Sequence, residues 1–193
     1  MRLALPIFLW LVACGGKLPE TRYYQLAAPP AQVQRGDLVI AIEPFETDAG
    51  YDDDRMVYRA TPFRLDYYHY HRWSAAPGVL VGRFVGQSLQ RTGRFRAIVR
   101  EGAPLVLRGR VAAIEEVDQS KSRWVGRIAL ELSLVDTRTN AVVWSQDYEE
   151  TEPLRVQSPE GLAQALSIAL GRIATAAAPT IADHADRQLS VRR

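Results

Sequence analysis

A single cysteine, Cys14, stands in the 193-residue chain, at the end of the apolar run Leu3–Ala13. A lone thiol forms no internal disulfide, and with no second cysteine or neighbouring histidine it makes a poor metal site. Its distinctive chemistry is alkylation, because a thiolate readily forms a stable thioether. Three other places carry reactive side chains: His69 and His71 in "HYH", the acidic run "YDDDR" from Tyr51 to Arg55, and Ser88 in "GQSLQ". Two histidines two apart share a face of a strand and could supply two metal ligands, but the sequence places no third. The acidic run lacks the glycine and distant glutamate of a calcium hand and reads as a solvated turn. Ser88 falls inside an amphipathic helix rather than in a Gly-x-Ser-x-Gly elbow, and no Gly-Lys-Ser/Thr phosphate loop occurs. The residues therefore predict no catalytic set, no metal and no cofactor.

What precedes Cys14 explains it. Met1-Arg2 is a short positive end, the apolar run follows, and Leu11-Val12-Ala13-Cys14 closes it with small residues, the layout of an export signal. The run falls short of the roughly 20 apolar residues of a spanning helix. Leu11 to Cys14 resembles the lipobox of bacterial lipoprotein precursors. That resemblance implies a diacylglyceryl group on the Cys14 thiol, cleavage after Ala13 and acylation of the new amino end. The alternative is an ordinary secretory signal with an incidental cysteine. Each buried acyl CH₂ contributes about 0.8 kcal/mol, so two or more chains hold a protein on a membrane without any spanning segment. Gly15 stands where lipoproteins kept at the inner membrane carry Asp, which implies the outer membrane, facing the periplasm. The next stretch, "GGKLPETR" from Gly15 to Arg22, reads as a tether with a reach of at most roughly 25 to 29 Å.

Residues 1–13 are thus expected to be signal, 14–22 a lipidated tether and 23–193 one domain, long enough to bury a core. The composition, 47% hydrophobic and 24% charged, is that of a globular protein. A net charge of +2 gives no electrostatic case for nucleic acid, which needs a concentrated basic face.

These residues have to be positioned by alternating strands and two amphipathic helices. "YYQL" is a first strand-like piece, and "LVIAIEPF", Leu38 to Phe45, reads as a central strand. Met56–Ala60 and Phe63–Trp73, joined at Thr61-Pro62, read as a hairpin or a sharply bent strand pair. Pro77-Gly78 opens a helix with Val81, Phe84, Val85 and Leu89 on one face and Gly93 at its C-terminal cap. Phe95–Val99 is the next strand, completing a strand-helix-strand unit, a connection that allows its two strands to be parallel. Ile128, Leu130, Leu132 and Leu134 alternate with polar residues in a strand with one wet face. Leu105–Val117 before it and Ala141–Glu149 after the turn "DTRTN" complete an antiparallel meander. Ser158, Pro159 and Glu160 start a last helix running to Ala178, whose apolar stripe includes Leu162, Leu166, Leu170 and Ile173. The fold class that follows is α+β: a mixed, largely antiparallel sheet with two amphipathic helices packed on one face.

In order, the lipobox, "YYQL", "DDRMVYRATPFRLDYYHYHRW", a helix, a meander and a final helix resemble the ABC-type transport auxiliary lipoproteins, including the paraquat-inducible C-type lipoproteins. Tyr24, Leu26, Val57-Tyr58-Arg59 and Arg72-Trp73 carry most of that resemblance. The chain departs from the pattern after Trp73, where "SAAPG" replaces an acidic residue and an earlier proline. The resemblance implies a non-enzymatic outer-membrane lipoprotein that docks an MCE-domain lipid-transport assembly fed by an inner-membrane ATPase and permease. A homo-oligomer is also possible within it. The alternative is a periplasmic lipid carrier or chaperone, which would need an apolar cavity. Aromatic and basic residues interleave in the hairpin, and on an exported protein this fits a protein interface with Tyr58, Arg59, Arg72 and Trp73 as its contact residues. A tryptophan there is either an interface anchor or part of the core.

Overall fold

A computed structural model of the chain describes residues 19–28, 30 and 36–190; Cys14 and the signal lie outside them. The strong alternation around Ile128 builds the centre of the molecule. Strands β7 (Leu105–Ser120), β8 (Arg123–Asp136) and β9 (Val142–Pro153) form the expected meander, with β7 and β8 in register from Leu105↔Asp136 to Ser120↔Arg123. Ile128, Leu130, Leu132 and Leu134 are at most 1% exposed, while Arg127, Glu131 and Ser133 line the wetter face. The closing turn after β8 passes through Asn140 at φ 55°, a conformation that asparagine tolerates well.

The second edge of β7 is shared end to end by three short strands, all parallel to it. These are β2 (Leu38–Ile42), β3 (Glu46–Thr47) and β4 (Arg55–Thr61). Outside β2 lies β6 (Phe95–Val99); outside β4 lie β5 (Arg64–Trp73) and then β1 (Arg22–Tyr24). Five of the eight pairings among the described residues are parallel but short, and the long β7–β8 and β8–β9 ladders are antiparallel, so the sheet is mixed. β6 pairs with β2, not with β5 as the strand-helix-strand reading suggested. Both edges of β5 are already taken, by β4 and by β1.

Helix α1 (Pro77–Arg91) starts on Pro77 without a side-chain cap and stops at Gly93, whose φ of 70° suits a residue without Cβ. Phe45 is wedged beneath it. A Cβ on Gly78 would meet the Phe45 carbonyl oxygen at 2.0 Å, and one on Gly109 of β7 would meet the Phe45 ring at 2.5 Å. Helix α2 (Pro159–Ser190) starts as expected, with Ser158 Oγ accepting the Gly161 N–H at 3.1 Å. It does not end at Ala178. Pro179 removes one helical hydrogen bond, yet Ile181, Ala182 and Ala185 continue the buried stripe at 0% exposure and carry the helix another three turns. By length and a mean hydropathy of 1.4 this helix could cross a membrane, but 61% of that window is buried inside the protein. α1 and α2 touch each other and share one hydrophobic core with the sheet.

Candidate partner-binding site

The β4–β5 hairpin is built around two successive acids of β7. On a strand, neighbours point to opposite faces, so Glu115 and Glu116 reach different surroundings although both are at most 1% exposed. A buried carboxylate is costly unless it is paired and hydrogen-bonded. Glu115 accepts from Tyr51 Oη at 2.8 Å, Arg59 Nε at 3.1 Å and Arg127 Nη1 at 2.8 Å. Arg127 also grips Glu149 of β9 with two bonds, at 2.8 and 2.9 Å. Arg59 donates onward to Tyr51 Oη at 3.1 Å and to the Pro62 carbonyl at 2.9 Å, which ties down the hairpin tip. This single network joins the β3–β4 loop, β4, β7, β8 and β9. Burial and the Glu115 carboxylate push the Tyr51 phenol up to about 12, keeping it a donor.

Glu116 has weaker support. Its Oε1 accepts from Tyr68 Oη at 3.0 Å, while Oε2 and the neighbouring Asp118 Oδ1 are buried without a partner. Burial pushes the Glu116 carboxyl up to about 7, against the Tyr68 hydrogen bond and with help from the Asp118 charge; burial raises Asp118 as well. A proton on Glu116 relieves its repulsion with Asp118. Tyr68 in turn packs on Tyr58, with ring centroids 5.0 Å apart, and edge-on to His71 at 5.6 Å. His71 Nδ1 shares a 2.8 Å hydrogen bond with Tyr24 Oη, which stitches β1 to the hairpin.

The residues expected to contact a partner are thus distributed unevenly. Trp73 is 1% exposed and packs in the core of this chain. Arg59 is half-buried and committed to Glu115, Arg72 pairs with Asp54, and Tyr58 is half-buried against Tyr68. Arg55 binds Asp53 at 2.8 Å and covers the Tyr67 ring at 4.5 Å, so the acidic run is a partly solvated turn held by ion pairs. His69 is exposed while His71 is half-buried and bonded to Tyr24, because β5 carries extra residues between Tyr67 and Arg72 that break simple alternation. No group of three or more His, Cys, Asp or Glu able to hold a metal occurs among the described residues. Sequence reasoning passed over the side chains this frame presents outward: Phe63 at the tip, 96% exposed, Tyr23 at 65% and Tyr70 at 41%. The Thr61-Pro62 turn signal was enough to place Phe63 at a tip, but nothing local distinguishes Tyr70 from the half-buried Tyr67 and Tyr68.

No curated protein matches the chain. Among solved structures it resembles protein XCC0632 from Xanthomonas campestris, with a TM-score of 0.76 at 17% identity over 88% of this chain and 99% of that one. An uncharacterized protein follows at a TM-score of 0.70 and 11% identity, over 84% and 99% of the two chains. At these identities the likeness shows a shared fold. The sequence profile of the ABC-type transport auxiliary lipoprotein components matches residues 24–178, a span that runs from Tyr24 through the hairpin and meander into α2, and the chain belongs to that family.

Proposed function

We propose that this protein is a non-enzymatic accessory lipoprotein, acylated at Cys14, that docks an MCE-type lipid-transport assembly of an ABC transporter at the periplasmic face of the outer membrane. The observation that carries the reading is the family match over residues 24–178, which takes in the whole hairpin. The β4–β5 hairpin is the contact surface in this reading. Arg59 and Tyr58 hold its shape from inside, Trp73 supports it from the core, and Arg72 stands beside the exposed Tyr70 and Tyr23. Tyrosine and arginine at a rigid surface are the residue types that anchor protein interfaces. The carrier alternative asks for an apolar container, whereas the buried apolar side chains pack against one another in one main cluster and a smaller one around Val106. A photo-crosslinker at Tyr70 in the acylated protein, followed by membrane fractionation, tests the docking role. Capture of an MCE-domain protein in the outer-membrane fraction is the expected result. No such capture, with phospholipid co-purifying instead, would move the function to lipid carriage.

A further inference from the structure

The strand directions orient the molecule with respect to its anchor. β1 runs parallel to β5 with Arg22 opposite His71 and Tyr24 opposite Trp73, and β5 leads away from the hairpin tip. The N-terminal end of β1 therefore faces the tip. From His71 to Arg64 is seven residues, about 23 Å at the rise of a strand. Cys14 to Arg22 is eight, with a reach of roughly 26 to 29 Å. A lipid on Cys14 can thus enter a bilayer lying level with Phe63.

The same end of the molecule has the composition that such a bilayer would meet. β4 is parallel to β7, with Arg59 opposite Val117, so the tip lies beside the β7–β8 turn. Pro153 opposite Val125 brings the end of β9 there too. Phe63 is 96% and Val156 62% exposed, and Arg64, Lys121, Arg123 and Arg155 are exposed around them. The acids beside them are Asp66, which pairs with Arg64, Asp118, which lines the same hollow as Thr61 and Pro62, Glu152, which pairs with Arg172, and Glu160 in the first turn of α2. Apolar tips rimmed by cations suit the interface of a bilayer containing anionic lipid. The Arg59 bond to the Pro62 carbonyl holds the tip in place before any contact is made.

We propose that this end is a second membrane-contacting surface, with Phe63 entering the headgroup region of the same bilayer that holds the Cys14 lipid. The inference rests on the lipid anchor of the functional reading, and its test separates the two. Because an acylated Cys14 has no free thiol, Phe63→Cys gives a single labelling site in the full, processed protein, and Val142→Cys, 61% exposed at the opposite end, gives a control. Each is labelled with bimane and reconstituted into vesicles of phosphatidylethanolamine and phosphatidylglycerol. The Phe63→Cys label should shift to the blue. Lipids spin-labelled about 5 to 10 Å below the surface, the depth of interfacial apolar faces, should quench it about twofold or more. The Val142→Cys label should do neither. A protein that floats with the vesicles while its Phe63→Cys label behaves like the control overturns the membrane contact and leaves the anchor standing. A parent chain that takes up dye at Cys14 and fails to float overturns the anchor, and the membrane contact with it.

Discussion

Glu116→Gln is the substitution whose effect the structure fixes most closely. Burial holds the Glu116 carboxyl at about 7 in the folded protein, against 4.5 for an ordinary glutamate. At roughly 1.4 kcal/mol per pKa unit, that difference is worth up to about 3 kcal/mol. Below the ordinary glutamate value both folded and unfolded chains keep the proton, and the group leaves stability unchanged with pH. Between there and pH 7 the unfolded chain releases a proton that the folded one retains, so stability falls as pH rises; above pH 7 the full penalty is present. The glutamine oxygen still accepts from Tyr68, and the new amide can donate to Asp118, so the packing is kept while the titration is lost. At pH 8 the variant should be more stable by up to about 3 kcal/mol, a rise of about 6 to 12 °C in Tm for a domain of this size. At pH 4.5 the two should coincide. Urea unfolding followed by tryptophan fluorescence from pH 4.5 to 8 measures this, since Trp73 is buried. A wild-type protein of constant stability over that range, or a variant no more stable at pH 8, would refute the buried-proton argument.

Trp73→Ala should cost about 3 to 5 kcal/mol of stability in urea, as for other buried tryptophans; full stability with loss of partner capture would return Trp73 to the interface. Glu115→Ala takes the shared acceptor from Tyr51, Arg59 and Arg127, of which Arg127 keeps Glu149, and should cost about 1 to 3 kcal/mol, whereas a loss within experimental error would show that the network adds nothing. Gly109→Ala drives a methyl into the Phe45 ring and should cost about 1 to 3 kcal/mol. Adding Phe45→Leu in the same chain should recover part of that loss, and equal losses in both chains would place the clash elsewhere. Cys14→Ala should move the protein from the membrane to the soluble envelope fraction; persistence in the membrane fraction would put the anchor at another residue.

Much of this fold is legible in the sequence because it rests on periodicity. The β8 alternation, the Thr61-Pro62 turn, the Pro77 and Ser158 helix starts and the Gly93 stop are all local signals, and each marks an observed boundary. What the sequence hides is decided at a distance. Periodicity puts β6 after α1 but cannot say that β5 has no free edge, so its true partner β2 stays out of view. A proline normally ends a helix, and only the buried run Ile181, Ala182 and Ala185 overrides Pro179. For the candidate site the limit is sharper. Aromatic and basic residues mark the hairpin as unusual, yet exposure alone separates Phe63 from Trp73, and exposure depends on what packs behind each. Glu115-Glu116 is the one legible hint of a polar interior, because two adjacent acids in a strand must occupy both faces.

Those two acids also explain how the hairpin keeps its place. β4 meets β7 through only two register pairs, Tyr58↔Glu116 and Arg59↔Val117, and β2 and β3 share the same edge with two pairs each. Short parallel ladders pin register weakly, and a slip of one residue would turn every side chain of β4 to the other face. Buried ion pairs contribute little net stability, because desolvation offsets most of the attraction. They are geometrically selective, however. Glu115 finds three donors only when Arg59 and Tyr51 stand where this register puts them, and Glu116 meets Tyr68 only when β5 is bulged as observed. The acids therefore act on position more than on stability, and the position they fix is that of the hairpin tip and of Tyr70. A surface that has to meet either a bilayer or a protein partner gains from being set in advance, since ordering it on contact would subtract from the binding free energy.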